Sequence, residues 1–297
     1  MKKLLLILLC LPIIGFGQNL VTNGDFEQYS NLPTEGGQLM NCDGWNNVNL
    51  IPGVFFVNEP AKASPDYFHL QSLSSSGIGL PDNNFAFVNP YSGNAIVGFA
   101  TYGTTTPPGF PANSFWFMAN YREYISSKLN TPLQVGETYN LSFYLSNGES
   151  DHNFGASSDR IGVYFSTDSL SQDSAEVINV SPQLEILNEV WDTSWQQYSF
   201  SFIADQEYEF ITIGNFYSDI QTTSTVVLSN PPILPWSYYF IDKIELYKAT
   251  GTILEEYSAN KELLKVTDLL GRETKQTNHP LLYIYDDGTV EKRIVIE

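Results

Sequence analysis

Cysteine, basic residues and long apolar runs are all scarce in this chain, and each scarcity removes a class of protein. The 297 residues contain two cysteines, Cys10 and Cys42, too few for the disulfide framework of a small secreted scaffold. Lys and Arg number 14 against 33 Asp and Glu, a net charge of −19. A phosphate backbone is bound by Lys and Arg that displace its counterions, so nucleic acid is excluded as a partner. Only His69, His152 and His279 are present, and none stands at metal-ligand spacing from another His or Cys. There is no G-x-S-x-G elbow and no phosphate-binding loop. Gly 21 and Pro 16 are ordinary usage, which excludes collagen-like and low-complexity chains. Charged residues make up 16%, below the usual ~25%, whereas aromatics reach 14%, with Tyr 18 and Phe 19. Aromatic-rich, charge-poor sequence of this kind favours pleated sheet, so the fold class is all-β.

The one long apolar run is at the start. Lys2 and Lys3 precede Leu4 to Ile14, and Gly15-Phe16-Gly17 supplies the small-x-small pattern of a cleavage site before Gln18. Residues 1–17 are therefore expected to be a signal peptide; the run falls short of the ~20 residues of a membrane span, and no transmembrane segment is expected in the mature chain. Cys10 lies inside the apolar run after Leu9, where a lipoprotein signal would carry a small residue. Loss of residues 1–17 leaves 12 basic residues against 33 acidic ones and Cys42 alone. With no internal disulfide, stability must come from the core or from a bound ion.

From Asn19 to about Lys248 the chain reads as short strands between turn clusters, the pattern of a β-sandwich. Tyr139–Ser146 alternates, with Leu141, Phe143 and Leu145 on one face and Ser142, Tyr144 and Ser146 on the other. Ile161–Phe165 repeats this, so both strands carry a tyrosine opposite the core side. Further strands are expected at Ala95–Phe99, Tyr121–Leu129, Gln197–Ile203, Glu209–Asn215 and Tyr238–Tyr247, with proline-rich loops at 104–111 and 229–235. The charge balance then changes: residues 18–250 hold six basic and 24 acidic residues, residues 251–297 six and nine. The expected organisation is a jelly-roll β-sandwich over 18–248, a linker over 249–259 and a small C-terminal β domain over 260–297.

The tail contains Asp268-Leu269-Leu270-Gly271-Arg272 and, later, Tyr283-Ile284-Tyr285-Asp286-Asp287-Gly288, with Lys292 near the end. It resembles the C-terminal sorting domain of the type IX secretion system of Gram-negative bacteria. On that resemblance Asp268, Gly271, Arg272, Tyr283, Gly288 and Lys292 are the sorting motif, and the type IX secretion machinery is a partner. The Pro-Asn element that often opens such domains is absent, Asn260 being the nearest substitute. The implied location is secreted or on the outer cell surface.

The main domain opens Asn23-Gly24-Asp25-Phe26-Glu27, has Trp45 in a Gly-Trp-Asn turn and closes Tyr238-Tyr239-Phe240-Ile241-Asp242-Lys243-Ile244-Glu245-Leu246. This framework is similar to jelly-roll carbohydrate-binding modules and their galactose-binding-like relatives, whose first and last strands often share a structural calcium ion (Ca2+). The resemblance puts Glu27 and Asp242 at that ion, with Asn23 and Asp25 as weaker ligands; Lys243 stands where the family often has a second acid. A hard cation is suited by such oxygen donors. The alternative use of these residues is turn hydrogen bonding.

A pyranose needs aromatic stacking with hydrogen-bonding groups at its rim. Arg122 and Tyr124, which share parity on one expected strand, and Tyr144 and Tyr164, opposite core positions, are candidate ligand residues for an extracellular glycan. Trp116 and Trp236, in expected loops, are further candidates, whereas Trp45, Trp191 and Trp195 are read as core. Packing of these rings beneath loops or in a second buried face is the competing reading. The expected role is noncatalytic carbohydrate binding. Its rivals are an adhesive or structural surface protein, favoured by a buried or flat tyrosine face, and a polysaccharide-acting hydrolase, favoured by two carboxylates converging in a groove.

Overall fold

The computed structural model describes residues 17–49, 55–56, 59–60, 65–103, 119–148, 154–226, 234–249, 263–268, 271–274, 280–285 and 290–294. All of the expected signal peptide but Gly17, and all of the expected linker but Ala249, lie outside them. In chain order the strands are β1 (Trp45–Asn47), β2 (Phe55–Phe56), β3 (Glu59–Pro60), β4 (Asp66–His69), β5 (Ala95–Tyr102), β6 (Ile125–Lys128), β7 (Thr138–Ser146), β8 (Phe154–Ser158) and β9 (Ile161–Ser166). There follow β10 (Leu184–Ile186), β11 (Gln196–Ile203), β12 (Phe210–Asn215), β13 (Ser224–Val226), β14 (Leu234–Lys248), β15 (Leu263–Thr267), β16 (Pro280–Tyr285) and β17 (Val290–Ile294). The only helices among the described residues are two single 3₁₀ turns, Leu39–Asn41 and Ser74–Ser76, and none is long and apolar enough to cross a membrane.

The chain divides into two compact units, Met1–Ala249 and Thr250–Glu297. The first is a jelly-roll β-sandwich. One sheet has the order β1-β6-β12-β9-β10 and the other β11-β7-β14-β5-β4, with β8 and β13 attached beside β14. Alternation places Leu141, Phe143 and Leu145 of β7, and Ile161, Val163 and Phe165 of β9, in one continuous core between the sheets. Phe165 stacks on Phe202 at 4.6 Å between ring centroids. Tyr198, Phe200 and Phe202 of β11 close its edge half-buried.

Long strand β14 crosses the middle of the second sheet and breaks parity once. Ile241 pairs with Leu145 and Asp242 with Tyr144, but beyond the break Glu245 pairs with Ser142 and Leu246 with Leu141. Lys243 and Ile244 thus stand opposite Phe143 alone, a β-bulge, with Lys243 at φ +52°. The extra residue moves the inward set from Tyr239 and Ile241 to Ile244 and Leu246. Asp242, the last residue before the shift, lies on the outer face opposite Tyr144.

Loops cover much of both outer faces. The loop before β5 lays Ile78, Leu80, Ala86 and Val88 over Phe68, Ile96, Ala100, Tyr238 and Phe240, making a second apolar cluster. On the other sheet, Leu170, Ile178 and Val180 pack around Tyr124, Tyr164 and Phe216. The half of the second sheet formed by β11, β7 and the end of β14 has no such cover among the described residues.

The second unit is a three-stranded antiparallel sheet, β15-β16-β17.

Candidate functional site

The N-terminal segment runs along the end of β14. Leu20 N–H donates to the Leu246 carbonyl at 2.8 Å and Ile244 N–H to the Gly24 carbonyl at 2.7 Å. The contact is so close that a Cβ on Gly24 would lie 2.0 Å from the Ile244 oxygen, so position 24 requires glycine. This apposition brings Glu27 and Asp242 to one corner, where both grip the same loop. Asp242 Oδ2 accepts from Ser92 N–H at 2.8 Å and Oδ1 from Lys243 N–H at 2.6 Å. Glu27 Oε1 accepts from the N–H groups of Asn94 (2.6 Å) and Ala95 (3.0 Å), and Oε2 from Asn94 Nδ2 at 3.0 Å. Between them Gly93 sits at φ +64°, and a Cβ there would strike Glu27 Oε1 at 2.2 Å.

Asp242 is 0% exposed, and among the described residues no Lys, Arg or His pairs with it. Burial, reinforced by the Glu27 and Asp25 carboxylates, pushes it up to about 7, against the pull of its two backbone donors. A buried carboxyl beside two further acids is the setting that a divalent cation would relieve. Among the described residues no three His, Cys, Asp or Glu side chains form a metal-holding group. All four carboxylate oxygens of Glu27 and Asp242 already accept at least one N–H, so an ion at this corner would share them with those donors. Asn23 is committed elsewhere: its Nδ2 donates to the carbonyls of Gln28 (2.8 Å) and Asp43 (2.9 Å), its Oδ1 accepts from Gln28 N–H, and its carbonyl accepts from Trp45 Nε1. Asp25 is exposed.

The gripped loop carries Tyr91 onto the outer face, where it stacks on Tyr144 at 3.6 Å and 17°. Trp195 meets Tyr91 edge-on at 6.3 Å and anchors its Nε1 on the Asn89 carbonyl at 2.9 Å. Lys243, raised by the bulge, holds its Nζ 5.7 Å from the Tyr91 ring centre. Away from this aromatic end the face is polar: Asn140, Ser142, Gln197, Ser199 and Ser201 line a groove of about 400 Å³ together with Tyr247. Tyr247 also borders a second groove, of about 410 Å³, containing Asn19, Asp25, Ser92, Lys243 and Glu245. The two grooves flank the end of β14. Tyr144 and Tyr247 oppose Asp242 and Asn140 in the ladder, so the aromatic end and Tyr247 lie four residues apart along β7, about 13 Å.

Of the residues singled out from sequence, Tyr144 belongs to this face. Tyr164 does not: it is packed under the 170–180 segment, 6.0 Å from the Phe216 ring. Arg122 and Tyr124, expected on an accessible strand, are both fully buried and precede β6. Tyr124 bonds the Asn215 carbonyl and Ile178 N–H. Arg122 pairs with Asp219 at 2.9 Å and donates to the carbonyls of Tyr121 and Tyr217, tying the 217–222 loop down. Trp236, expected in a loop, is a buried residue of β14 against Tyr121, and Trp116 lies outside the described residues. Trp45 is core as expected, but Trp191 is 42% exposed and Trp195 edges the open face. Tyr91 and Trp195 had no signal in the sequence, because their role comes from where a loop lands.

Two further acids of the first unit, Asp66 and Glu123, are closed off from solvent. Asp66 accepts from Tyr238 O–H and Gly37 N–H, and Glu123 from Tyr121 O–H and Ala100 N–H. Both are buried beneath the second apolar cluster, and burial pushes Asp66 up to about 6.

In the second unit, Asp268 and Arg272 close a turn on themselves. Asp268 Oδ2 accepts from Arg272 Nε at 2.7 Å and Oδ1 from Arg272 N–H at 3.0 Å, with Gly271 at φ +79°. Tyr283 lies in β16 between Val266 and Glu291, and Lys292 in β17 opposite Leu282; Gly288 lies outside the described residues.

No protein-family model matches the chain, and no curated protein matches it. Among solved structures it is similar to the K1 cleaved adhesin domain of Lys-gingipain from Porphyromonas gingivalis W83, with 12% identity over 69% of this chain and 91% of that one, TM-score 0.36. It is also similar to TmCBM61, solved with β-1,4-galactotriose, with 13% identity over 78% and 99% of the two chains, TM-score 0.32. The CBM22-1 xylan-binding domain of Paenibacillus barcinonensis Xyn10C gives 10% identity over 78% and 95%, TM-score 0.34.

The Arg122 clamp yields a stability prediction. Removing one partner of a buried ion pair costs on the order of 3–5 kcal/mol, and at ~2–4 °C per kcal/mol for a unit of this size Arg122→Ala should lower the melting midpoint by roughly 6 to 20 °C. A midpoint within a degree of the parent would contradict the clamp.

Proposed function

We propose that the protein is a noncatalytic glycan-binding protein of the bacterial outer surface, whose ligand lies across the open half of the second sheet. The observation that carries this reading is the Tyr91–Tyr144 stack, edged by Trp195 and set at the end of a polar floor. Rings offer an apolar surface to a sugar, and the serine, asparagine and glutamine side chains offer neutral donors and acceptors to its hydroxyls. A span of about 13 Å between the aromatic end and Tyr247 suits a short oligosaccharide better than a single sugar. The burial of Tyr164 is the trait expected of an adhesive protein without a ligand site, and the open face around Tyr144 is what favours glycan binding instead.

The same reading includes a structural calcium ion at Glu27 and Asp242. When bound, it would neutralise the buried Asp242 and hold the first segment, the last strand and the Tyr91 loop together. It also includes export: residues 1–17 as the inner-membrane signal and residues 260–297 as a type IX sorting domain. The self-closed Asp268–Arg272 turn supports a folded recognition element in that tail.

Three experiments test these statements. On a glycan array the protein should retain a short neutral oligosaccharide, and Tyr91→Ala and Tyr144→Ala should each weaken binding roughly two- to tenfold, the worth of one aromatic contact; an array without hits, or variants that bind like the parent, would refute the ligand face. Calcium at about 100 times its Kd should add roughly 2.7 kcal/mol, so a chelator should lower the midpoint by about 5 to 11 °C, and Asp242→Ala should abolish that response. The proton and the cation compete for Asp242, held near 7. Calcium binding should therefore release a proton around neutral pH and weaken as pH falls below 7; a midpoint indifferent to chelator at every pH would remove the ion. Deleting residues 251–297 should strand the protein in the periplasm, and normal surface or medium levels of the truncated chain would disprove the sorting assignment.

A further inference from the structure

Four strands end the two main strand orders of the sandwich, and three of them are short. β1 and β10 have three residues each, and β4 has four that are all buried. The fourth edge, β11, is different in every respect that governs strand pairing. It runs eight residues in unbroken register with β7, and Gln196–Ile203 contains no charge, no proline and no bulge, in a chain whose net charge is −19. Among the described residues, no backbone group of Gln197–Ile203 bonds to anything but β7. Proteins normally guard a long edge with lysine, proline, a bulge or a covering segment; β11 contains none of the first three, and no segment covers it among the described residues.

A second observation concerns the side chains. Tyr198, Phe200 and Phe202 point to the core and stack with Phe143, Phe165 and Tyr139, yet all three remain half-buried because the sheet ends there. The core is unfinished along this line, and what would finish it must be neutral, extended and apolar on one side only. The strand itself has that character. We propose that β11 is a self-complementary dimer edge, pairing antiparallel with β11 of a second copy about a two-fold axis at Phe200.

Residues directly opposite in an antiparallel pair share a face. With the axis at Phe200, that residue meets its own copy, Tyr198 meets Phe202 of the second copy, Ser199 meets Ser201 and Gln197 meets Ile203. The inner face becomes an aromatic ladder across the axis, which removes the half-exposed rings from water. The outer face stays polar and uncharged. Like charge would oppose association of two copies bearing this net charge, and this strand is where that repulsion is least. An isologous contact of this kind closes on itself as a dimer and does not propagate. Ser199 and Ser201 also line the 400 Å³ groove, so the dimer sets two grooves side by side. Only this last consequence, two-site avidity for a glycan, rests on the proposed function; the dimer does not.

The register makes the test specific. The parent protein should run at the mass of two chains in sedimentation or light scattering, with dissociation on dilution. Ser199→Lys combined with Ser201→Lys places like charges opposite each other twice across the axis and should give the mass of one chain. Ser199→Lys combined with Ser201→Glu places opposite charges there and should restore the dimer. Both residues face outward, so each variant, measured beforehand, should keep the parent's circular dichroism and, at dilutions where the parent is itself dissociated, its melting midpoint. A parent that is monomeric at all concentrations would overturn the proposal. So would a dimer that survives the double lysine change, or two variants that are equally monomeric. Glycan binding is read separately on the array, so its absence leaves the dimer result intact.

Discussion

The bulge in β14 is the constraint on which the rest of the first unit depends. A strand with period-two alternation can keep only one set of side chains inward. β14 must pair with β5 over its first half and with β7 along most of its length beyond. Up to Ile241 its odd residues face the core; the extra residue at Lys243 hands that duty to Ile244 and Leu246. Without the extra residue, Lys243 and Glu245 would enter the core, an outcome far costlier than one residue held at positive φ. Asp242, just before the step, lies on the outer face beside Tyr144 and within reach of Ser92, and the step raises Lys243 next to it. One local irregularity therefore sets the core parity of the second half of β14, and it falls beside the acidic corner and the aromatic stack.

A shared loop couples the corner to the face. Asp242 and Glu27 hold consecutive parts of the loop 92–95 through its N–H groups, and the loop carries Tyr91 to Tyr144. These hydrogen bonds fix the loop on both sides of Gly93. Lys243 Nζ lies over the other side of this assembly. The stack is thus positioned from two elements far apart in sequence, neither of which contributes a ring to it.

The sequence made some parts of this legible and hid others for definable reasons. Strict alternation exposed β7, β9 and β11 nearly to the residue, because period-two patterning is a local signal. Glu27 and Asp242 were singled out by the resemblance to jelly-roll modules, as ligands of an ion; the structure brings both to one loop through backbone hydrogen bonds. Arg122, Tyr124 and Tyr164 were misread because strand parity identifies the outer face but not whether a loop covers it. The segment 170–180 buries that face with Leu170, Ile178 and Val180, and nothing in the strand sequences encodes it. Tyr91 and Trp195 were missed for the converse reason: each sits at a loop end whose landing place is decided by tertiary contacts. Trp236 was assigned to a loop because Pro235 precedes it, although proline is compatible with a strand margin.

The distribution of covers also explains why the open region is where it is. The loop that buries Tyr238 and Phe240 ends at Asn89, which receives the Trp195 Nε1 bond, and beyond that point the outer face of β14 changes from Tyr238 and Phe240 to Glu245 and Tyr247. An apolar outer face has to be covered to leave water, whereas one made of serine, asparagine, glutamine and tyrosine can remain solvated at no such cost. The change falls at the bulge, since only the shifted parity brings Glu245 and Tyr247 outward. Cover and exposure are therefore two consequences of one change in side-chain chemistry along β14, and the aromatic stack marks the boundary between them.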